Sequence, residues 1–242
     1  MKVISIVNTK GGTGKSTIAT NIATALAMEG KQVMLVDTDK KQESSMDFAA
    51  IRSENEALAE IGSVVITEKT LFKTIKKFVN MDYVVIDAGA GDNELVRNAM
   101  SCSYYGVLII PVQPSQNDIA GTYKLTFDLV DDIRSRMDGF EENIYVVFNR
   151  IPANRKMKIL NESLETMEHL CRENDIKIMQ SSLTDRVAFK ESICVGMNVI
   201  EYEKVKGNSN YKASDELGAL VNEIKAILGE EVIQDDEHTT EK

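Results

Sequence analysis

Short apolar segments alternate along the chain with longer segments in which apolar residues recur at helical spacing. The apolar segments predict buried strands at 2–8, 33–36, 64–66, 83–87, 105–110, 144–148 and 176–178. The intervening segments predict helices over 16–28, 43–60, 69–79, 118–136, 155–173 and 213–228. Strands that alternate with helices favour an α/β fold, with a mostly parallel twisted sheet covered by helices on both faces.

Two of the predicted helices have apolar residues that should face the sheet. In 118–136 these residues are Leu125, Leu129 and Ile133. In 213–228 they are Leu217, Leu220, Val221, Ile224 and Ile227. We expect both sets to lie in the core.

The length of 242 residues is sufficient for one large domain, which would bury roughly 70 to 75% of its unfolded surface. We predict a single domain over 1–229 and an acidic, flexible tail over 230–242. The first residues enter a strand without the features of a signal peptide, and no run approaches ~18 apolar residues. We therefore expect a cytoplasmic protein without membrane contact.

Charge and cysteine content narrow the possible functions further. The formal net charge of −10 argues against a surface that is basic throughout, so any contact with nucleic acid must come from a local patch. Cys102, Cys171 and Cys194 are odd in number and lack C-x-x-C spacing. This pattern predicts free thiols and argues against disulfides, a zinc site or an iron–sulfur cluster.

A glycine-rich loop between the first strand and the first helix predicts a nucleotide phosphate site. The candidate binding residues are Lys10, Gly11, Gly12, Thr13, Gly14, Lys15, Ser16 and Thr17. The glycines allow successive backbone N–H groups to converge on an anion, and the following helix adds its positive end. Lys15 would reach the β- and γ-phosphates, and the Ser16 hydroxyl would bind Mg²⁺.

Acidic residues follow two of the predicted strands. Asp37 and Asp39 come at the end of the second strand, and Asp87 ends the strand over 83–87. Ligands of open α/β sheets bind at the carboxyl ends of the strands, where a carboxylate opposite Ser16 can hold Mg²⁺. Either acidic motif alone is common at a strand end, but the two in order after the loop favour a nucleotide site. Asn149 follows a later strand, where its amide is suited to pair with an adenine edge.

The loop departs from the general phosphate-binding pattern at one position. Thr9 stands where the pattern has glycine, and Lys10 follows it. The stretch resembles the deviant Walker A motif of the ParA/MinD family of ATPases. The resemblance implies that Lys10 crosses a dimer interface onto the partner's nucleotide and acts there as an arginine finger does, an effect of roughly 10³ to 10⁵ in rate.

The resemblance covers nearly the whole chain and implies roles for the acidic residues. By it, Asp39 orients the attacking water, Asp37 supports the metal or the loop lysine, and Asp87 matches a Walker B motif. The chain departs from the family at 40–42, where Lys-Lys-Gln replaces the frequent Pro-Gln. This departure leaves the geometry of that loop open.

The chain most resembles small ParA-type partition proteins, sometimes called ParF-like. Such proteins dimerise on binding ATP with Mg²⁺, bind DNA without sequence preference, in some cases polymerise, and hydrolyse ATP when stimulated by a small centromere-binding partner. The resemblance therefore implies segregation of a plasmid or similar replicon and attachment to the nucleoid in the ATP-bound state. The candidate DNA contacts are Arg155, Lys156, Lys158, Arg186, Lys190, Lys204 and Lys206. A MinD-like membrane-positioning ATPase and a metabolic ATP-dependent enzyme of the same fold are the alternatives.

Overall fold

The computed structural model describes residues 1–39, 44–67, 70–91, 93–140, 143–154, 156–207 and 211–230. The predicted DNA contact Arg155, the departure at 40–42 and the tail beyond Glu230 lie outside the described residues. All structural statements below concern the described ranges.

The described strands form one seven-stranded sheet in the order β3-β2-β4-β1-β5-β6-β7. Every neighbouring pair of strands is parallel. The strands are β1 (Lys2–Ile6), β2 (Val33–Asp37), β3 (Gly62–Val65), β4 (Tyr83–Asp87), β5 (Gly106–Val112), β6 (Ile144–Ile151) and β7 (Lys177–Thr184). The predicted parallel α/β sheet is confirmed, and its carboxyl edge brings the ends of β1, β2 and β4 together.

Helices connect the strands and cover the sheet. They are α1 (Lys15–Met28), α2 (Ser44–Ser53), α3 (Leu71–Thr74), α4 (Glu94–Cys102), α5 (Gln116–Gly121), α6 (Asp128–Arg134), α7 (Lys158–Glu173), α8 (Val187–Ile193), α9 (Val199–Lys206) and α10 (Lys212–Ile227). Short 3-10 helices span Ile75–Phe78 and Ser103–Tyr105, and a π-helix spans Thr122–Phe127. None of the described helices combines the length and apolar character required to cross a bilayer.

Each face of the sheet has its own hydrophobic core. Val3 and Val7 belong to one cluster, whereas Ile4 and Ile6 belong to the other. This division arises because successive side chains of a strand point to opposite faces. The second cluster includes the residues predicted for the last helix: Leu217, Leu220, Val221 and Ile224 are buried, and Ile227 packs against them while partly exposed.

The predicted inward position of Leu125 is wrong. Its side chain is 47% exposed, whereas Leu129 and Ile133 are 3% and 6% exposed, as predicted. Leu125 lies in the π-helix, where each turn holds more residues than an α-helical turn. A pattern of 3.6 residues per turn therefore does not identify the buried side of this segment.

Several element boundaries also differ from the predictions. The helix predicted over 43–60 ends at Ser53, and β7 continues to Thr184 instead of ending at 178. The strand β6 extends through Asn149 and Arg150, which were expected to follow it. The helices α4, α8 and α9 were not predicted.

The central pair of strands leaves no room for a side chain at Gly106, which lies opposite Val3 in the β1–β5 register. A Cβ atom there would lie 2.1 Å from the Val3 carbonyl oxygen and 2.8 Å from the Val3 nitrogen. Because these are backbone atoms, the strands would have to separate. We expect Gly106→Ala to lower the free energy of unfolding by about 3 kcal/mol or more, measured by urea denaturation.

Gly218→Ala provides the matched control. Gly218 lies within α10, and a Cβ atom there would meet nothing within 4 Å. This substitution should leave stability unchanged or raise it by about 0.5–1 kcal/mol. Equal urea midpoints for the two variants would contradict the steric argument.

Candidate functional site

The loop between β1 and α1 has the backbone geometry expected of a phosphate cradle. Gly12 and Gly14 have φ values of 79° and 93°, in the left-handed region that favours glycine. Gly14 directly precedes α1, so the free N–H groups of the helix N-terminus face the loop. A Cβ atom on Gly14 would also lie 2.2 Å from the amide nitrogen of Asn149. Both conformation and space therefore require glycine at this position.

Side chains from the ends of β5 and β6 hold the loop carbonyls. The Gly12 carbonyl accepts hydrogen bonds from Gln113 Nε2 at 2.7 Å and from Arg150 Nη1 at 3.0 Å. The Thr13 carbonyl accepts one from Asn149 Nδ2 at 2.7 Å. These bonds fix the carbonyls toward β5 and β6 and leave the loop N–H groups available for an anion.

Asn149 therefore contacts the phosphate loop in this structure. Its side-chain oxygen accepts from the backbone nitrogen of Arg150 at 2.9 Å, and the residue is 5% exposed. To pair with adenine, the Asn149 amide would have to give up its hydrogen bonds to the Thr13 carbonyl and the Arg150 nitrogen. The adenine role stays a prediction.

Lys15 is buried under the loop. It is 8% exposed, and its Nζ donates to the Lys10 carbonyl at 3.2 Å. Burial lowers the pKa of Lys15 below its ordinary value, and the nearby carboxylates of Asp87 and Asp39 oppose that shift. A buried ammonium between the loop and two carboxylates is suited to a negatively charged ligand.

Asp37 and Asp87 lie side by side at the ends of β2 and β4. The two oxygens of Asp37 accept backbone N–H bonds, from Asp39 at 2.8 Å and from Ser45 at 3.1 Å. One Asp87 oxygen accepts from Ser45 Oγ at 2.6 Å. The other, Oδ1, is buried without a hydrogen-bond partner in the described structure.

The orphaned oxygen of Asp87 fits a divalent cation. Mg²⁺ is commonly held by one or two carboxylates together with phosphate oxygens and waters, so a full protein cage is not needed. Among the described residues, no group of three or more His, Cys, Asp or Glu residues could hold a metal by itself. Ser16 lies near enough for its hydroxyl to lower the pKa of Asp87. Ser16 and Asp87 are the residues that would hold Mg²⁺ here, and support of the metal by Asp37 stays a prediction.

Burial raises the pKa of Asp87 to about 6, with hydrogen bonds from Ser45 and Ser16 opposing the shift and the Asp37 charge adding to it. The folded protein therefore holds this proton more tightly than the unfolded chain does. Protonation of Asp87 thus stabilises the fold, and this contribution is complete below about pH 4 and is lost as the pH rises through 6. We expect Asp87→Asn, without metal or nucleotide, to be more stable than the unsubstituted protein at pH 8 by about 1–3 kcal/mol.

Thermal unfolding at pH 4 and pH 8 checks this prediction. The difference between the two proteins should be mostly gone at pH 4, where the carboxyl group is protonated in the folded protein and about half protonated in the unfolded chain. A constant difference at both pH values would show that the burial of charge at Asp87 is not the cause.

Asp39 lies on the same cavity. A Cβ atom on Gly89, at the end of β4, would lie 3.6 Å from the Asp39 Cβ. The Gly89 nitrogen donates to Thr38 Oγ1 at 3.0 Å, which joins the loops after β2 and β4. The cavity has a volume of about 200 Å³ and is lined by Gly11, Gly12, Gly14, Lys15, Ser16, Thr17, Asp39, Ser44, Asp87, Ala88, Ala90 and Arg150. Four clefts elsewhere are larger, at about 370, 610, 580 and 390 Å³, so chemistry and not size identifies the site.

Lys10 is held by its own chain. Its Nζ lies 2.6 Å from Asp118 Oδ1 on α5, and the two side chains are 32% and 15% exposed. The adjoining segment is fixed by the buried Asn8, whose Nδ2 donates to Thr122 Oγ1 at 2.9 Å and whose oxygen accepts from the Lys10 nitrogen at 2.9 Å. Lys10 is thus placed beside the loop on an ordered backbone.

The structure gives three of the six described candidate DNA contacts an acidic neighbour. Arg186 pairs with Glu216 at 2.7 Å, Lys190 with Asp185 at 3.1 Å, and Lys158 with Glu162 at 3.5 Å. Lys156, Lys204 and Lys206 are exposed. Since these pairs reduce the local positive charge, any DNA contact of Arg186, Lys190 or Lys158 would have to compete with a carboxylate.

Ser45, Asp118, Arg150 and Gln113 contact the candidate site but were not among the predicted site residues. Ser45 stands in the first turn of a helix, and Asp118 follows the serine that caps α5. Such residues have ordinary capping roles in sequence, and only the fold brings them to the loop and the acidic pair.

Comparison with known proteins identifies the family. A model described as the CobQ/CobB/MinD/ParA nucleotide binding domain matches residues 4–199. The chain belongs to this ParA/MinD family. The predicted family is thereby confirmed, whereas the ParF-like subtype is not singled out. Members of the ParA/MinD family are P-loop ATPases, which agrees with the loop geometry.

Relatives of this ParA/MinD protein match along most of its length. Protein ParA of Rhizobium radiobacter is 25% identical, over 86% of this chain and 89% of the relative. The maintenance of carboxysome distribution protein A of Halothiobacillus neapolitanus is 23% identical, over 91% and 95%. The fold is shared with a Cyanothece McdA–ATP complex, at a TM-score of 0.75 and 16% identity over 97% and 99%. The MinD structure of Aquifex aeolicus, solved with MinC, has a TM-score of 0.71 and 19% identity, and the match covers 98% of this chain and 100% of that one.

Proposed function

We propose that this ParA/MinD-family chain is a partition ATPase. ATP binding drives formation of a homodimer that attaches to DNA without sequence preference. Hydrolysis, stimulated by a small centromere-binding partner, releases the dimer and so moves a plasmid or similar replicon. Polymer formation on DNA is compatible with this cycle.

Lys10 is the observation that carries the proposal. Its ammonium pairs with Asp118 on α5, on a partly exposed part of the surface beside the phosphate loop. A lysine placed there can leave the Asp118 carboxylate and bind the phosphates of a nucleotide held by a second subunit. A role across a dimer interface is thus consistent with its position.

The remaining residues have separable roles in this proposal. The N–H groups of Gly11–Thr17 and the Lys15 ammonium bind the phosphates, while Ser16 and Asp87 hold Mg²⁺, which neutralises phosphate charge. Asp37 orders the loop after β2 through its two backbone hydrogen bonds. Asp39 positions the attacking water.

Similarity over most of the length of ParA and of the carboxysome distribution protein supports a positioning or partition role. The similarity to MinD structures keeps a membrane-positioning ATPase as the competing outcome. A metabolic enzyme of the same fold would instead show turnover that depends on a small molecule.

Co-sedimentation with plasmid DNA and with anionic lipid vesicles tests the proposal. Each is measured with ATP, with ADP and with a non-hydrolysable analogue. We expect the protein to sediment with DNA only in the presence of ATP or the analogue. The logarithm of the binding constant should fall linearly with the logarithm of the salt concentration, with a slope of about −0.9 for each phosphate neutralised. Nucleotide-dependent binding to vesicles but not to DNA would overturn the partition role in favour of the MinD-like one.

A further inference from the structure

Ser45 connects the two acidic motifs of the site. It lies in the first turn of α2 and is fully buried. Its hydroxyl donates to Asp87 Oδ2 at 2.6 Å, and its backbone nitrogen donates to Asp37 Oδ2 at 3.1 Å. One residue thus contacts the carboxylates that end two neighbouring strands.

We propose that Ser45 is a positioning residue that orients the Asp87 carboxylate for the metal. By taking Oδ2, the hydroxyl fixes the rotation of the carboxylate and leaves Oδ1 as the oxygen that faces a cation. This inference rests on the proposed ATPase function, because the cation is the Mg²⁺ that accompanies ATP.

The bond from Ser45 is the side-chain hydrogen bond that the described structure gives the Asp87 carboxylate, although Ser16 also lies near it. Oδ1 has no hydrogen-bond partner in the described structure, and the neighbouring Asp37 uses its own oxygens for backbone N–H groups. The rotation about the last side-chain bond of an aspartate is broad without a partner. A hydroxyl that donates to one carboxylate oxygen restricts that rotation. A hydrogen bond to an ionised carboxylate is also stronger than one between neutral groups.

The far end of α2 is anchored, which holds Ser45 in place. Arg52 is 3% exposed, and its guanidinium makes two bonds to Glu201, at 2.8 and 2.7 Å. It also donates to the carbonyls of Gly196 at 3.0 Å and Ala59 at 2.9 Å. Because breaking a buried pair of this kind is costly, α2 is a rigid support. A site residue on a rigid element is held more accurately than one on a loop.

Gly196 shows how closely α2 fits against this anchor. Its φ is +67°, and a Cβ atom there would lie 2.6 Å from the Arg52 nitrogen. The backbone of 196 therefore packs directly on the backbone of α2. The position of Ser45 follows from contacts at both ends of the helix.

Ser45→Ala tests the inference, with two readouts. The first is binding of Mn²⁺ in the presence of the non-hydrolysable ATP analogue, measured by electron paramagnetic resonance. The second is affinity for a fluorescent ATP analogue in EDTA. Loss of a residue that orients a metal ligand typically costs 10–100-fold in metal affinity, so we expect Mn²⁺ affinity to fall by about that factor. Metal-free nucleotide affinity should stay within about 3-fold, because the described hydrogen bonds of Ser45 go to Asp37 and Asp87 and not to the loop.

Ser163→Ala is the matched control. Ser163 is 1% exposed on α7, and its hydroxyl has no partner in the described structure. The substitution removes a buried hydroxyl group that is distant from the site, so the affinities for Mn²⁺ and for metal-free nucleotide should be unchanged. Should Ser45→Ala not fold, Ser45→Cys, with a weaker donor of similar shape, should shift Mn²⁺ affinity in the same direction by a smaller factor.

The outcomes separate this inference from the proposed function. Unchanged Mn²⁺ affinity in the folded Ser45 variant would overturn the positioning role. An equal loss of metal-dependent and metal-free binding would also overturn it, because it would indicate general damage to the site. If the unsubstituted protein binds Mn²⁺ and nucleotide but does not hydrolyse ATP, the ATPase function fails while the binding measurements still decide the role of Ser45.

Discussion

Replacing Lys10 with alanine is expected to slow ATP hydrolysis by about 10³-fold or more, the range found for charges supplied to a phosphoryl group by a partner subunit. The physical reason is that negative charge spreads over the transferring phosphoryl oxygens, and a second ammonium stabilises it in a site with little water. Lys15 remains in the variant, so each subunit should still bind ATP. The nucleotide-dependent dimer should be weakened together with hydrolysis.

Single-turnover hydrolysis and sedimentation velocity with the non-hydrolysable analogue measure the two effects. Lys124→Ala is the control for the loss of one exposed lysine on the neighbouring π-helix, and it should behave as the unsubstituted protein does. Asp118→Asn removes the ion pair of Lys10 but keeps the lysine, so it should not reproduce the loss. Normal dimerisation and hydrolysis in Lys10→Ala would show that this lysine has no role across an interface.

The parts of the fold that were predicted correctly depend on local sequence. The strands β1, β2 and β4 are short runs of Val and Ile that are buried on both faces, as expected for the centre of a parallel sheet. The phosphate loop depends on the spacing of three glycines and a lysine, and two of those glycines have the positive φ that the spacing implies. Both signals lie within a few consecutive residues.

The parts that were not predicted depend on contacts between distant residues. Arg52 meets Glu201 across 149 positions, and Ser45 meets Asp87 across 42. Nothing in the sequence near Ser45 distinguishes it from an ordinary residue of a helix first turn. The π-helix is a similar case, since its Thr122 bonds the buried Asn8 across 114 positions. That contact is set by the fold and not by the periodicity.

The two loops that follow β2 and β4 form one unit. Thr38 joins them through Gly89, and Ser45 joins Asp37 to Asp87. These bonds connect the Asp87 carboxylate to the segment that contains Asp39. We infer that the acidic residues respond together when nucleotide binds, although their roles differ.

The same arrangement leads to the last prediction, in which Asp39→Ala retains ATP but loses hydrolysis. Asp39 lies on the cavity wall, and its charge opposes the lowered pKa of Lys15. Removing a negative charge from a site that receives a triphosphate should not weaken binding, so affinity should stay within about 3-fold. Hydrolysis should fall by about 10²–10⁴-fold if Asp39 has the proposed role of orienting the attacking water.

Equilibrium binding of a fluorescent ATP analogue and single-turnover hydrolysis separate the two effects. Asp47→Ala is the control, because Asp47 is an exposed acid in the first turn of the same α2 that follows Asp39. It should change neither quantity. Weak binding with a normal rate at saturating ATP would reverse the assignment and place Asp39 among the residues that hold the nucleotide. Because Asp37 accepts the Asp39 backbone nitrogen, a bond that alanine keeps, the loop after β2 should retain its shape in the variant.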